Sequence, residues 1–210
     1  MKKINFLKNK KVTILCSGPS VRDYHDSNEI VIVPNRSILL PQLKNYKCII
    51  WINGTGWQRN HVYSWWKEIA AEVNCNPSII LARKNNPDWN PFFNRFQKEF
   101  TSIFDDCAVS YLIDENNFGV MSTGMRCIKV AIDSGASEIK VAGMEMGINT
   151  KYCDTLASNE VISKMGNDSF KRHLKVDCKY LESLSREELQ RIVSDPNSGL
   201  RKLIKKEKNE

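Results

Sequence analysis

The chain has 210 residues, is 41% apolar and 26% charged, and carries a formal net charge of +7. That length predicts one domain with a small appendage and a substantial core, and the composition is that of a soluble globular protein. No apolar run approaches the roughly 20 residues a membrane span needs. The apolar run at 12–16, broken at Thr13, is too short for a signal-peptide core.

Seven cysteines (16, 48, 75, 107, 127, 153 and 178) are odd in number and scattered, and no pair has C-x-x-C spacing. That pattern suggests neither a zinc ribbon nor a disulfide scaffold, and free thiols in apolar strands suit a reducing cytoplasm. Much of the positive charge lies at the two ends, in Lys2, Lys3, Lys8, Lys10 and Lys11 and in Arg201, Lys202, Lys205, Lys206 and Lys208. Such ends suit solvated tails, or contact with an anionic membrane face or anionic acceptor. No recognition-helix, zinc-finger or RNP-type signature accompanies them, so nucleic acid is not expected.

In chain order, residues 12–16 read as a first strand, followed at once by Ser17-Gly18-Pro19-Ser20. A strand running into a Gly-containing turn is where an open α/β sheet binds nucleotides. Gly18 permits close backbone approach and Pro19 suits a first helical turn. The loop is neither the dinucleotide G-x-G-x-x-G nor a P-loop. Residues 29–33 form a second strand ending before Pro34-Asn35-Arg36, and 48–52 a third ending at Asn53-Gly54. Amides at strand ends carry both donors and an acceptor and can read ribose hydroxyls or a base edge. Turn chemistry favours Asn at the same places.

Residues 57–73 read as a helix whose Trp57, Trp65 and Trp66 pack, 78–82 as a fourth strand, and 83–104 as an Asn-, Pro- and Phe-rich loop with a short helix. A fifth strand is expected at 108–113. The stretch 118–147 is the centre of the pattern. Ser122 and Thr123 cap a helix on which Met125, Ile128, Ala131 and Ile132 recur at helical spacing. Gly135 stops that helix, and 138–143 is a sixth, buried strand. A Ser122-Thr123-Gly124 loop opening a helix presents backbone N–H groups and a positive dipole end to an anion. The same residues also suit a capped helix that binds nothing. Residues 148–168 are polar, with a helix expected at 156–165, and read as a lid. A helix at 170–184 carries His173 near its start. A last helix begins at Ser185, where Ser185 and Glu188 form a capping box, and 195–199 break the pattern before a basic tail. Strands alternating with helices give an α/β fold with a mostly parallel, Rossmann-like sheet flanked by helices.

The run Cys16-Ser17-Gly18-Pro19-Ser20 resembles the G-N-G-P-S loop of glycosyltransferase family 42, the bacterial sialyltransferases that decorate lipooligosaccharide. That family's strand-end asparagines resemble Asn35 and Asn53. Its T-S-G loop and the later G-I-D resemble Ser122-Thr123-Gly124 and Gly143-Met144-Glu145. Its lid tyrosine resembles Tyr152, and its catalytic histidine resembles His173, followed by Asp177 and 181–184. The resemblance covers 12–184 in order. It implies a catalytic, nucleotide-sugar-binding domain of the GT-A sialyltransferase type over 1–184, with a lid at about 148–169, and a helix with a basic tail over 185–210. The implied reaction moves a sialic-acid-like sugar from a CMP-sugar, CMP-Neu5Ac or a relative such as CMP-Kdo, to a glycan or lipooligosaccharide acceptor without a required metal. The chain correspondingly has no Asp-x-Asp pair at a strand end; Asp105 and Asp106 are adjacent and poorly placed.

On this resemblance His173 is the general base and Tyr152 steadies the departing phosphate. Ser17, Gly18, Pro19, Ser20, Asn35, Asn53, Ser122, Thr123, Gly124 and Glu145 bind the donor. It further implies an assembly of subunits working in the cytoplasm at the inner membrane face. The chain departs from the family at Ser17, at Val120 where an arginine is usual, and at Gly147 and Phe170 where tyrosines are usual. Two other readings therefore stand beside it: a pyrophosphokinase-like nucleotide enzyme that needs a metal, and a degenerate nucleotide-binding protein without transfer.

Overall fold

The computed structural model describes residues 4–22, 24–53, 69–84, 90–104, 106–113, 121–146, 167–196 and 198–209. Seven strands, β1 (Lys11–Leu15), β2 (Ile30–Pro34), β3 (Cys48–Asn53), β4 (Ile79–Lys84), β5 (Ala108–Ile113), β6 (Glu138–Ala142) and β7 (Ile192–Ser194), make one sheet in the order β5-β4-β3-β2-β1-β6-β7. Every pairing is parallel. Among the described residues the helices with stated bounds are α1 (Asn90–Ile103), α2 (Thr123–Asp133), α3 (Asn167–Glu182), α4 (Arg186–Arg191) and α5 (Gly199–Asn209). None of the described helices is long and apolar enough to cross a membrane.

A parallel sheet is covered on both faces, so its strands read as near-continuous apolar runs rather than alternating ones. The two faces are nevertheless separated by the two-residue period of the strand. Val12, Ile14 and Cys16, Ile32, Ile50 and Ile52, and Ile139 and Val141 join one core cluster with Met125 and Ile128 of α2, Leu181 of α3, Leu189 of α4 and Leu200 of α5. Leu15, Val31 and Val33, Ile49 and Trp51, Ile80 and Ala142 join the other, against Phe100 and Phe104. Trp51 is fully buried there, with ring centroids 5.9 Å from Phe100 and 6.2 Å from Phe104. Aromatic pairs at such offsets contribute about 0.5–1.5 kcal/mol beyond their area.

The expected six strands are all present, each within two residues of its predicted bounds. The seventh was not expected. A single helix was read from Ser185 onward, but the capping box holds only the six residues of α4 before β-branched Ile192 and Val193 pair with β6. The segment read as a loop with a short helix contains the 14-residue α1. The β2–β3 connection is two 3₁₀ turns, Asn35–Leu39 and Pro41–Asn45, and Pro19 opens a 3₁₀ turn of three residues, Pro19–Val21. The proposed helix at 57–73 is described only at 69–73, of which 69–72 is helical; Trp57, Trp65 and Trp66, and the expected lid up to residue 166, lie outside the described residues. Among the described cysteines all six are free thiols.

Candidate active site

Strand order reverses between β1 and β6, because the chain steps outward from β1 to β5 and then returns to β1's other side. A crevice at the carboxyl ends of strands opens at such a point. Here the loop after β1 and the loop after β6 are tied into one unit. The N–H of Gly18 donates to the carbonyl of Gly143 at 2.8 Å, and that of Cys16 to the carbonyl of Ala142 at 2.9 Å. Gly143 N–H donates to Ser20 Oγ at 3.0 Å, and Ser20 N–H to Glu145 Oε1 at 3.2 Å. Gly18 is required by close approach: a Cβ there would lie 2.5 Å from Glu145 Cγ and 2.6 Å from the Gly143 carbonyl oxygen. Gly143 is required by conformation as well, with φ at +73°. Thus Ser17, Gly18, Pro19, Ser20 and Glu145, far apart in sequence, are brought together.

The start of α2 meets the same crevice. Ser122 is its N-cap and its Oγ accepts from Met125 N–H at 3.2 Å. A Cβ on Gly124 would lie 3.0 Å from Cys16 Sγ, so the helix begins directly against the end of β1. Asn35, at the end of β2, donates from Nδ2 to Thr123 Oγ1 at 3.2 Å while its carbonyl accepts from Trp51 Nε1 at 2.8 Å. Its φ of +45° is a left-handed conformation that asparagine tolerates better than most residues. Asn53 is the last residue of β3. Tyr152, Val120 and Gly147 lie outside the described residues.

His173 lies on α3, partly buried, one turn ahead of Asp177. Asp177 is only 3% exposed, and its Oδ1 accepts Ser122 N–H at 2.9 Å. Burial raises its pKa above the ordinary carboxylate range, against the opposing effects of the Ser122 hydrogen bonds and the charges of His173 and Arg126. Cys16 feels both carboxylates of this site. Burial, then Asp177, then Glu145, push its thiol up to about 12, so it is a packed hydrophobe and not a nucleophile. Among the described residues no three His, Cys, Asp or Glu side chains converge as a metal site would require.

Sequence reading did not single out Asp177 as a site residue. The signal available was a carboxylate on the apolar stripe of α3, in register with Val176, Tyr180 and Leu181, where a charge needs a partner. A second polar cluster was also missed. Asp26 accepts from Thr13 Oγ1, from Tyr24 OH at 3.2 Å, from Tyr46 OH at 3.1 Å and from Asn28 N–H at 3.1 Å. This cluster closes the β1–β2 connection over the middle of β1.

No family model matches the chain, and no curated protein matches it. Among solved structures it is similar to the sialyltransferase CstII from Campylobacter jejuni in complex with a substrate analogue, CMP-3FNeuAc, at 19% identity and a TM-score of 0.49, over 92% of this chain and 84% of that one.

Proposed function

We propose that this chain is a CMP-sugar-dependent glycosyltransferase with His173 as general base. The observation that carries the reading is the convergence at the β1–β6 switch point. The Gly18 loop, the Ser122-Thr123-Gly124 helix start, Asn35 and Glu145 meet there, and the helix bearing His173 is pinned to them through Asp177. The choice of CMP rests on the ordered motifs that resemble family 42.

In this reading the N–H groups of the α2 start face the donor phosphate, and Glu145 and Asn35 read its ribose hydroxyls. The acceptor hydroxyl loses its proton to His173 as its oxygen bonds the anomeric carbon, and the bond from that carbon to the phosphate oxygen breaks with CMP leaving. General-base help of this kind is worth about 10²–10⁴ in rate. Tyr152 hydrogen-bonds the departing phosphate, the role a metal fills in other transferases. The acceptor is a glycan of the lipooligosaccharide type, reached at the inner membrane face by a homo-oligomer with basic ends. The substitutions at Val120, Gly147 and Phe170 favour a second reading, a CMP-binding protein that has lost transfer.

Thermal-shift measurements with CMP, UMP, GMP and ATP, each with and without magnesium, test the reading. A ligand at a hundredfold excess over Kd stabilises by about 2.7 kcal/mol. The expected result is a metal-independent shift with CMP, followed by CMP release from CMP-Neu5Ac or CMP-Kdo and loss of that release in His173→Ala with the CMP shift kept. A shift with CMP but no turnover of either sugar selects the second reading. A magnesium-dependent shift with ATP or GMP and none with CMP sinks both.

A further inference from the structure

Asp177 joins two parts of the site that lie 55 residues apart in sequence. Its Oδ1 takes the N–H of Ser122, the residue that caps α2 and opens the Ser122-Thr123-Gly124 turn. On its own helix it lies four residues after His173, the spacing at which helical side chains are neighbours. Burial raises the pKa of this carboxylate, and the charge of His173 acts against that, favouring the ionised form. Among the described residues, the other charged or titratable groups that act on it are Arg126 on α2, whose Nε–H donates to the Met121 carbonyl at 3.2 Å, and Cys16 on β1, which also feels Glu145.

A carboxylate 3% exposed is expensive to keep ionised. We propose that Asp177 is a positioning residue, its carboxylate holding the His173 imidazole in the orientation for proton transfer while fixing the turn on which the donor phosphate sits. This rests on the glycosyltransferase reading. In that scheme the proton His173 receives creates an imidazolium, and a fixed carboxylate one turn away stabilises that charge as it forms.

The direction of the Asp177 shift sets how its charge bears on stability. Because burial raises the folded-state value above the unfolded one, this group stabilises the fold only at pH below the ordinary Asp range. That contribution is lost as pH rises through the folded value, and above it the buried charge opposes folding.

The test compares the full chain with Asp177→Asn, which keeps an acceptor for Ser122 N–H and removes the charge. The expected result has three parts: a melting temperature at pH 7 equal to or above wild type, an unchanged CMP shift, and CMP-sugar turnover at least tenfold lower through kcat, with KM for the donor unchanged. The ¹⁵N spectrum of the labelled protein gives a readout that needs no turnover. The ring nitrogens of His173 report one tautomer in wild type and a mixture in Asp177→Asn. Should Asp177→Asn not fold, Asp177→Glu, whose added methylene moves the carboxylate, carries the same readouts. An unchanged His173 ring spectrum, or wild-type kcat, overturns the proposal. Absence of turnover in wild type itself sinks the transferase reading instead, and the ring spectrum then decides the positioning role alone.

Discussion

Gly18→Ala is the sharpest single perturbation of the crevice. The added methyl would lie 2.5 Å from Glu145 Cγ, 2.9 Å from Glu145 Oε1 and 2.6 Å from the Gly143 carbonyl oxygen. The first two contacts belong to a side chain that can swing away; the third is backbone, fixed by the left-handed Gly143 and by the Cys16–Ala142 hydrogen bond. The Gly18 loop must therefore move, breaking the 2.8 Å bond from Gly18 N–H to Gly143 and the 3.2 Å bond from Ser20 N–H to Glu145. Overpacking of this kind costs about 1–3 kcal/mol. For a domain of this size each kcal/mol lowers the melting temperature by about 2–4 °C. Differential scanning fluorimetry gives the stability, and the CMP-induced shift in the same instrument gives the site. Both are expected to fall, the second to nothing. Glu145→Ala added to Gly18→Ala removes two of the three contacts and is not expected to restore either. Wild-type stability and CMP response in Gly18→Ala, or full rescue in the double variant, would refute the reasoning.

Ser122→Ala removes an N-cap and is expected to destabilise by about 1 kcal/mol in urea titration, while weakening the CMP response more than that loss explains. Tyr24 and Tyr46 have pKa values raised by burial and then by Asp26, and Tyr180 by burial and then by Asp133. Their phenols stay protonated in the fold after the unfolded chain has begun to ionise. Stability from this source is complete below about pH 10 and is lost as pH climbs further. A pH series of thermal melts is expected to fall above that point, and to fall less steeply in a Tyr24→Phe, Tyr46→Phe variant.

The strands were legible because each is a short β-branched run that a doubly covered parallel sheet demands, and Ile30–Pro34 or Cys48–Asn53 admit few other readings. The three residues of β7 carry no such signal. Ile192, Val193 and Ser194 continue a helical pattern, and only pairing with Ile139, Lys140 and Val141 makes them a strand. The length of α1 was hidden by its Asn, Pro and Phe content, which suits a loop until Phe100 and Phe104 find Trp51. In the site, the glycines, asparagines and the Ser122 cap could be located one at a time. What could not be read was their contact: Ser20 and Glu145 are 125 residues apart, and nothing local says that one will donate to the other.

Two carboxylates, Asp26 and Asp177, show how burial and partners separate a structural role from a working one. Asp26 has donors on both oxygens: Tyr46 OH and Asn28 N–H on Oδ1, Thr13 Oγ1 and Tyr24 OH on Oδ2. An amide at this position must turn its NH₂ toward one of those pairs, setting donor against donor. Thr13 is fully buried in β1, an interior strand, so water cannot relieve it. Each buried group left without a partner costs about 1–3 kcal/mol, and Asp26→Asn is expected to lower the melting temperature by about 2–12 °C. Oδ1 of Asp177 accepts the backbone N–H of Ser122, and an amide oxygen accepts that bond equally well. The same Asp→Asn exchange is therefore expected to damage stability at Asp26 and spare it at Asp177. Thermal melts of the two variants at pH 7 decide the matter. Equal losses would mean that Asp177 is held for the fold, and would remove the reason to place it in the chemistry of His173.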